Sequence, residues 1–189
     1  ISYKDTVIYN LRMRQERRQR LDGEIFSFAK EDGAVRWTQK FLFQVEDCVL
    51  LQNERLAVLS NNELYILDAN SGEILKSVNT GLAPQNCSAY LHASDTHLFV
   101  FSKKERIFQI YDFGAWQCLR TVNGAEMGLY FDRPGTIIID YLFLPIRILE
   151  DNYYCGGYLI IDLKEVHLPI EFEKEPEFKI TSPTPKNGS

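Results

Sequence analysis

The chain has 189 residues, of which 45% are apolar and 25% charged, and its formal net charge is −5. That length suits one domain or two small ones and is too short for a large multi-domain enzyme. Aromatic residues at 13% can fill a sizeable core and argue against disorder, while an acidic balance without a global basic field disfavours a nucleic-acid partner.

Short β-branched and aromatic runs recur between turn signals, with little convincing helix, which predicts an all-β fold. The first unit offers strands at 7–13, 24–30 and 35–41, and its innermost strand is expected before Val7. Arg12, Arg14, Arg17, Arg18 and Arg20 crowd the connection between the first two, with Glu16 the only acid there. The second unit offers strands at 46–51, 55–60, 63–68 and 73–78. The third offers 87–91, 97–102, 106–111 and 116–122. In the fourth, an inner strand is expected at 126–131, followed by an apolar-rich stretch at 136–149. Asp151, Asn152, Tyr153, Tyr154 and Cys155 then read as an aromatic, polar loop. Gly156-Gly157 reads as a turn before a strand at 158–162. Glu171, Glu173, Glu175 and Glu177 alternate with other residues, the pattern of an acidic strand edge that resists aggregation. Residues 180–189, with Pro183 and Pro185, read as a linker or disordered tail.

No apolar run approaches the roughly 18 residues of a membrane span. The stretch 136–149 is broken by Asp140, Pro145 and Arg147, so no membrane association is expected. No charged segment followed by an apolar one opens the chain, so no signal peptide is expected. Cys48, Cys87, Cys118 and Cys155 show no CxxC and no Cys–His pair at zinc spacing. They read as reduced, structural cysteines, and a cytoplasmic or nuclear location is expected.

Two windows align at an offset of 39 residues, Gly33 on Gly72: residues 25–37 and 64–76, each a strand, a turn carrying Gly, and another strand. Looser copies follow at 108–120 and 158–168. Periods near 40 residues with several strands per unit are those of propeller blades. In the turn Asp68-Ala69-Asn70-Ser71-Gly72, the carboxylate is placed to bond nearby backbone N–H groups, and Gly72 to take a positive φ. This turn resembles the repeat of PQQ-like (quinoprotein-type) β-propellers in Leu67, Asp68, Ser71 and Gly72. Gly33 and Trp37 match in the first copy, where Ala29 replaces the Asp. Lys76 and Arg120 stand where later copies of that repeat would carry the Trp, and Gly114 is displaced. WD40 propellers look similar at this level. The resemblance implies about four blades of antiparallel strands over 1–179, at roughly 1–43, 44–82, 83–124 and 125–179. These either close a small ring or form part of a larger propeller.

The chemistry is sparse. His92, His97 and His167 lack metal spacing, and no Gly-x-Ser-x-Gly elbow or phosphate loop is present. The quinoprotein dehydrogenases that the repeat resembles carry a vicinal cysteine pair that this chain lacks. No catalytic residue, cofactor or metal is therefore expected. The expected function is a non-catalytic protein–protein interaction module: an adaptor, a substrate-recognition part or an inhibitor or immunity-type binder. Its partner-binding residues would be Arg12, Arg14, Arg17, Arg18, Arg20, Asn152, Tyr153 and Tyr154, because Arg forks carboxylates and Tyr and Asn suit recognition loops. The expected partner is another protein with an acidic surface, or the remaining part of its own propeller. The alternative is an enzyme or redox sensor, such as a quinoprotein-like oxidoreductase, with its site at the propeller centre. Glu46, Asp47, Tyr90 and Glu126 are the inner-strand polar residues available to it.

Overall fold

A computed structural model describes residues 1–11, 23–83, 89–131, 135–150 and 153–166. Four antiparallel sheets follow one another along the chain. The first blade runs β1 (Ser2–Tyr3), β2 (Thr6–Leu11), β3 (Gly23–Ala29) and β4 (Val35–Phe41), hydrogen-bonded in chain order. The second runs β5 (Val45–Leu50), β6 (Arg55–Ser60), β7 (Glu63–Asp68) and β8 (Ile74–Asn79) in the same way. The third runs β9 (Ala89–Ala93), β10 (His97–Ser102), β11 (Ile107–Asp112) and β12 (Cys118–Asn123). The inner strand expected before Val7 is thus the two-residue β1.

The fourth blade departs from the pattern. β13 (Leu129–Phe131) and β14 (Thr136–Ile138) share one edge of the ten-residue β15 (Tyr141–Glu150), and β16 (Tyr153–Asp162) lines its other edge. Pro145 sits in β15 between the positions that pair with β14 (141–143) and with β13 (146–148). Proline has no N–H to give a ladder, so it is tolerated where the inner partner is interrupted. The sequence expectation of a loop through Tyr153 and Tyr154 is corrected here. Both residues open β16, pairing with Glu150 and Leu149, and Gly156 and Gly157 lie inside the same strand opposite Arg147 and Ile146. A ten-residue β15 supplies a pairing partner for each of them, so the hairpin extends past the glycines that looked like a turn.

The repeat extends to single cross-strand pairs between the second and third strands of each blade. Alternation sends successive pairs to opposite sides of the sheet. Toward the preceding blade point Leu56–Leu67 and Val58–Tyr65 in the second blade, Leu98–Tyr111 and Val100–Gln109 in the third, and Leu142–Ile161 and Leu144–Leu159 in the fourth. Toward the following blade point Ala57–Ile66 and Leu59–Leu64 in the second, and Phe99–Ile110 and Phe101–Phe108 in the third. The core accordingly forms as three apolar clusters, one in each gap between consecutive blades. Among the described residues no apolar cluster joins the fourth blade to the first.

A shared turn between the third and fourth strands shapes the first three blades. In the second, Asp68 Oδ1 accepts the N–H groups of Asn70 (2.9 Å) and Ser71 (2.8 Å), and Gly72 N–H donates to Asp68 O at 2.9 Å. The same closure joins Gly33 N–H to Ala29 O and Trp116 N–H to Asp112 O, each at 3.0 Å. Gly33 (φ 70°), Gly72 (φ 76°) and Trp116 (φ 55°) therefore occupy one structural position, which explains the displaced Gly114. The next blade's turn is tied back to the fourth strand. Trp37 Nε1 donates to Ala69 O (3.1 Å), Lys76 Nζ to Ala115 O (2.8 Å) and an Arg120 guanidinium nitrogen to Val166 O (3.2 Å). The departures at Lys76 and Arg120 thus keep the donor while losing the ring. A Cβ on Gly72 would lie 2.5 Å from the Trp37 ring, so a small residue there makes room for a large one in the preceding blade. Where Trp116 takes the glycine's position, its own ring enters the apolar cluster, and the tethering residue is the slimmer Lys76.

Candidate functional site

Because every blade is an up-and-down meander, its connections alternate between two faces of the arc. The first-to-second and third-to-fourth strand turns share one face. The second-to-third strand connections and the blade-to-blade links share the other. Arg12, Arg14, Arg17, Arg18, Arg20 and Asn152 lie outside the described residues. The strand ends that flank them, Leu11 with Gly23 and Glu150 with Tyr153, all belong to second-to-third strand connections. The strand ends that bound the two segments singled out from sequence therefore lie at the same face, one pair in the first blade and one in the last. On that face Leu42 is 68% exposed, beside the partly exposed Phe43. A Cβ on Gly23 would come within 2.4 Å of Phe43 O, so this link is pressed against the start of β3, where the arginine-bearing connection returns.

The opposite face holds a cleft of about 820 Å³ between the third and fourth blades, lined by Asp95, Thr96, His97, Asp140 and Lys164 among others. Its polar groups bond one another. Lys164 Nζ lies 2.5 Å from Asp140 Oδ2, and that carboxylate raises the lysine's pKa. Thr96 Oγ1 and His97 Nδ1 are 2.8 Å apart. Ser94 Oγ accepts the N–H of His97 at 2.9 Å and that of Thr96 at 3.2 Å, which makes it a turn-closing hydroxyl. The cleft draws on residues near 95, 140 and 164, so no local pattern in the sequence could have pointed to it.

The inner-strand polar residues do not converge. Asp47 Oδ2 accepts Leu91 N–H at 2.8 Å and its Oδ1 accepts Cys48 N–H at 2.9 Å, which ties β5 to β9. Glu126 accepts from the Asn123 amide at 2.8 Å within its own turn. Glu46 is buried at a bulge in β5, and Tyr90 packs against the cluster between the third and fourth blades. Half-burial lowers the pKa of His92 and favours its neutral form. Among the described residues no group of three or more His, Cys, Asp or Glu side chains is placed to hold a metal, and no helix is long and apolar enough to cross a membrane. Cys48 and Cys118 are free thiols.

No protein-family model matches the chain, and no curated protein does. Solved structures do resemble it. Hydrazine synthase of Kuenenia stuttgartiensis matches with a TM-score of 0.54 at 11% identity, over 76% of this chain and 41% of that one. BamB from Moraxella catarrhalis matches with a TM-score of 0.49 at 16% identity, over 75% and 40%. The WD40 domain of Toxoplasma gondii coronin matches with a TM-score of 0.49 at 15% identity, over 69% and 38%. The chain thus spans about two fifths of the length of the structures it matches, and at these identities the likeness is one of fold alone. The fold is all-β and of the β-propeller type, built here from four antiparallel blades.

Proposed function

We propose that the chain is a non-catalytic protein–protein interaction module whose binding surface is the face carrying the second-to-third strand connections. The observation that supports it is the concentration of positive charge in one such connection of an otherwise acidic protein. Arg12, Arg14, Arg17, Arg18 and Arg20 crowd a segment of a chain with net charge −5, and the strand ends around them open onto the face that exposes Leu42 and Phe43. Guanidinium forks beside exposed apolar side chains suit a protein segment that carries Asp or Glu next to hydrophobic residues. Asn152, Tyr153 and Tyr154, from the last blade, would bound the same surface. The setting we propose is cytoplasmic or nuclear, where Cys48 and Cys118, which form no disulfide in the structure, would stay reduced.

The test is titration of the chain with a fluorescent peptide rich in Glu and Leu, against the same composition with Lys in place of Glu. The acidic peptide alone should bind, and binding should weaken with salt. Arg17→Glu with Arg18→Glu should abolish it without moving the melting temperature. Equal affinity for both peptides, or binding indifferent to the double reversal, would remove the proposal.

A further inference from the structure

The cleft between the third and fourth blades has two unlike walls. The third blade contributes Asp95, Thr96 and His97, and the fourth contributes Ile139 and Leu163 beside the Asp140–Lys164 pair. Every first-to-second strand turn on this face holds one acid: Asp5, Glu54, Asp95 or Asp140. In three of the four the acid is the last residue of the turn and is neutralised. Arg36 donates to Asp5 at 2.5 and 3.3 Å, Lys4 of the preceding blade pairs with Glu54, and Lys164 pairs with Asp140 at 2.5 Å. The third blade departs twice. Thr96 takes the last place of the turn, so its acid, Asp95, stands one residue earlier. Gly114, two residues after Asp112, holds the place that Lys164 holds after Asp162. Among the described residues no cation pairs with the exposed Asp95. Asp112 lies near enough to His97, and Asp162 to Lys164, for their charges to interact, so carboxylates outnumber the one lysine that lines the cleft. Ile139 is a second anomaly: it is 85% exposed and holds φ 57°. A β-branched residue resists that left-handed conformation, which glycine adopts without strain, and here the side chain buries almost nothing within its own fold.

We infer that this cleft binds an arginine of a partner peptide, with Asp95 receiving the guanidinium and Ile139 covering an aliphatic residue next to it. Charge complementarity selects the cation: the ligand supplies to Asp95 what Arg36, Lys4 and Lys164 supply to the acids of the other turns. Arginine suits the site better than lysine. A guanidinium can offer donors to the Asp95 carboxylate and the Thr96 hydroxyl at once, and it is more weakly hydrated beside an apolar wall. A cleft of about 820 Å³ has room for more than one side chain, so the ligand is a short stretch of chain and not a lone ion. The site lies wholly between two described blades, on the face opposite the arginine-bearing connection. It is therefore independent of the acidic-partner reading.

Fluorescence anisotropy of a labelled Ala-Arg-Leu-Ala peptide, titrated with the whole chain, should show saturable binding that weakens with salt. Citrulline in place of the peptide's arginine keeps the shape and removes the charge, and should cost about tenfold in affinity, with lysine nearly as poor. On the protein, Asp95→Asn should also cost about tenfold, with an unchanged melting temperature because that carboxylate holds no ion pair among the described residues. Ile139→Gly should weaken binding while raising the melting temperature, since it relieves the backbone. Arg17→Glu with Arg18→Glu should leave binding of this peptide unchanged, which separates the site from the acidic-partner surface. The Ile139 methyl resonances should shift on titration. Equal affinity for the arginine and citrulline peptides would overturn the inference, as would binding indifferent to Asp95→Asn or without a shift at Ile139. So would an arginine peptide that fails to bind at millimolar concentration.

Discussion

Gly33 and Gly72 separate two effects that a glycine usually combines. Both hold a positive φ near 70–76° and close the same turn. Around Gly33 nothing lies within 4 Å of an added Cβ, whereas at Gly72 the Trp37 ring lies 2.5 Å away. Gly33→Ala should therefore cost only the left-handed backbone strain, about 1 kcal/mol. Gly72→Ala should add overpacking against a buried indole, for a total of about 3 kcal/mol. Chemical denaturation of the two variants checks this, and equal losses would show that the ring moves aside freely. The sequence marked both residues as turn glycines. It could not rank them, because the ring that distinguishes them comes from another blade.

At the scale of strands, the unit of cohesion is the tether from the fourth strand to the next blade's turn. Three chemically different donors, Trp37, Lys76 and Arg120, reach a backbone carbonyl of that turn. Their contributions should differ with burial. Trp37 is buried, so Trp37→Phe should cost about 1–2 kcal/mol through the lost donor, and Trp37→Ala about 3–5 kcal/mol through the lost packing. Lys76 is exposed, so Lys76→Met should change stability by less than about 1 kcal/mol. Melting curves for the three variants give the order directly. A large effect at Lys76 would mean that the donor, and not the apolar contact, holds neighbouring blades together. Strand placement was legible in the sequence wherever turn chemistry and alternation agreed, as in the second blade. It failed at Gly156-Gly157, where glycines that resemble a turn are carried inside a strand by the long partner β15.

For the whole molecule, a stack of blades behaves as a nearly one-dimensional array, in which stability is shared between neighbours. Among the described residues the second and third blades are covered on both faces, while the first and fourth each have an apolar cluster on one face only. Amide exchange should be slowest in β6, β7, β10 and β11 and faster in β2, β3, β15 and β16. Uniform protection across all four blades would mean that the arc opens as one unit. The candidate surfaces follow the same division. The arginine-bearing connection was visible as a local excess of charge. The cleft near His97 and Lys164 was not, because its residues meet only when the third and fourth blades pack.

What the sequence by itself determined is the repeated blade: alternation, turn residues and a period near 40 residues are local signals, and each blade carries its own copy. Only the tertiary structure decided how the copies join. It showed one register of cross-strand pairs running through all four blades and donors tying each blade to the next. The physical reason is separation along the chain. A turn is closed by residues a few positions apart, whereas a blade-to-blade contact joins residues about 30–45 positions apart, and nothing local records which side of a strand will be covered.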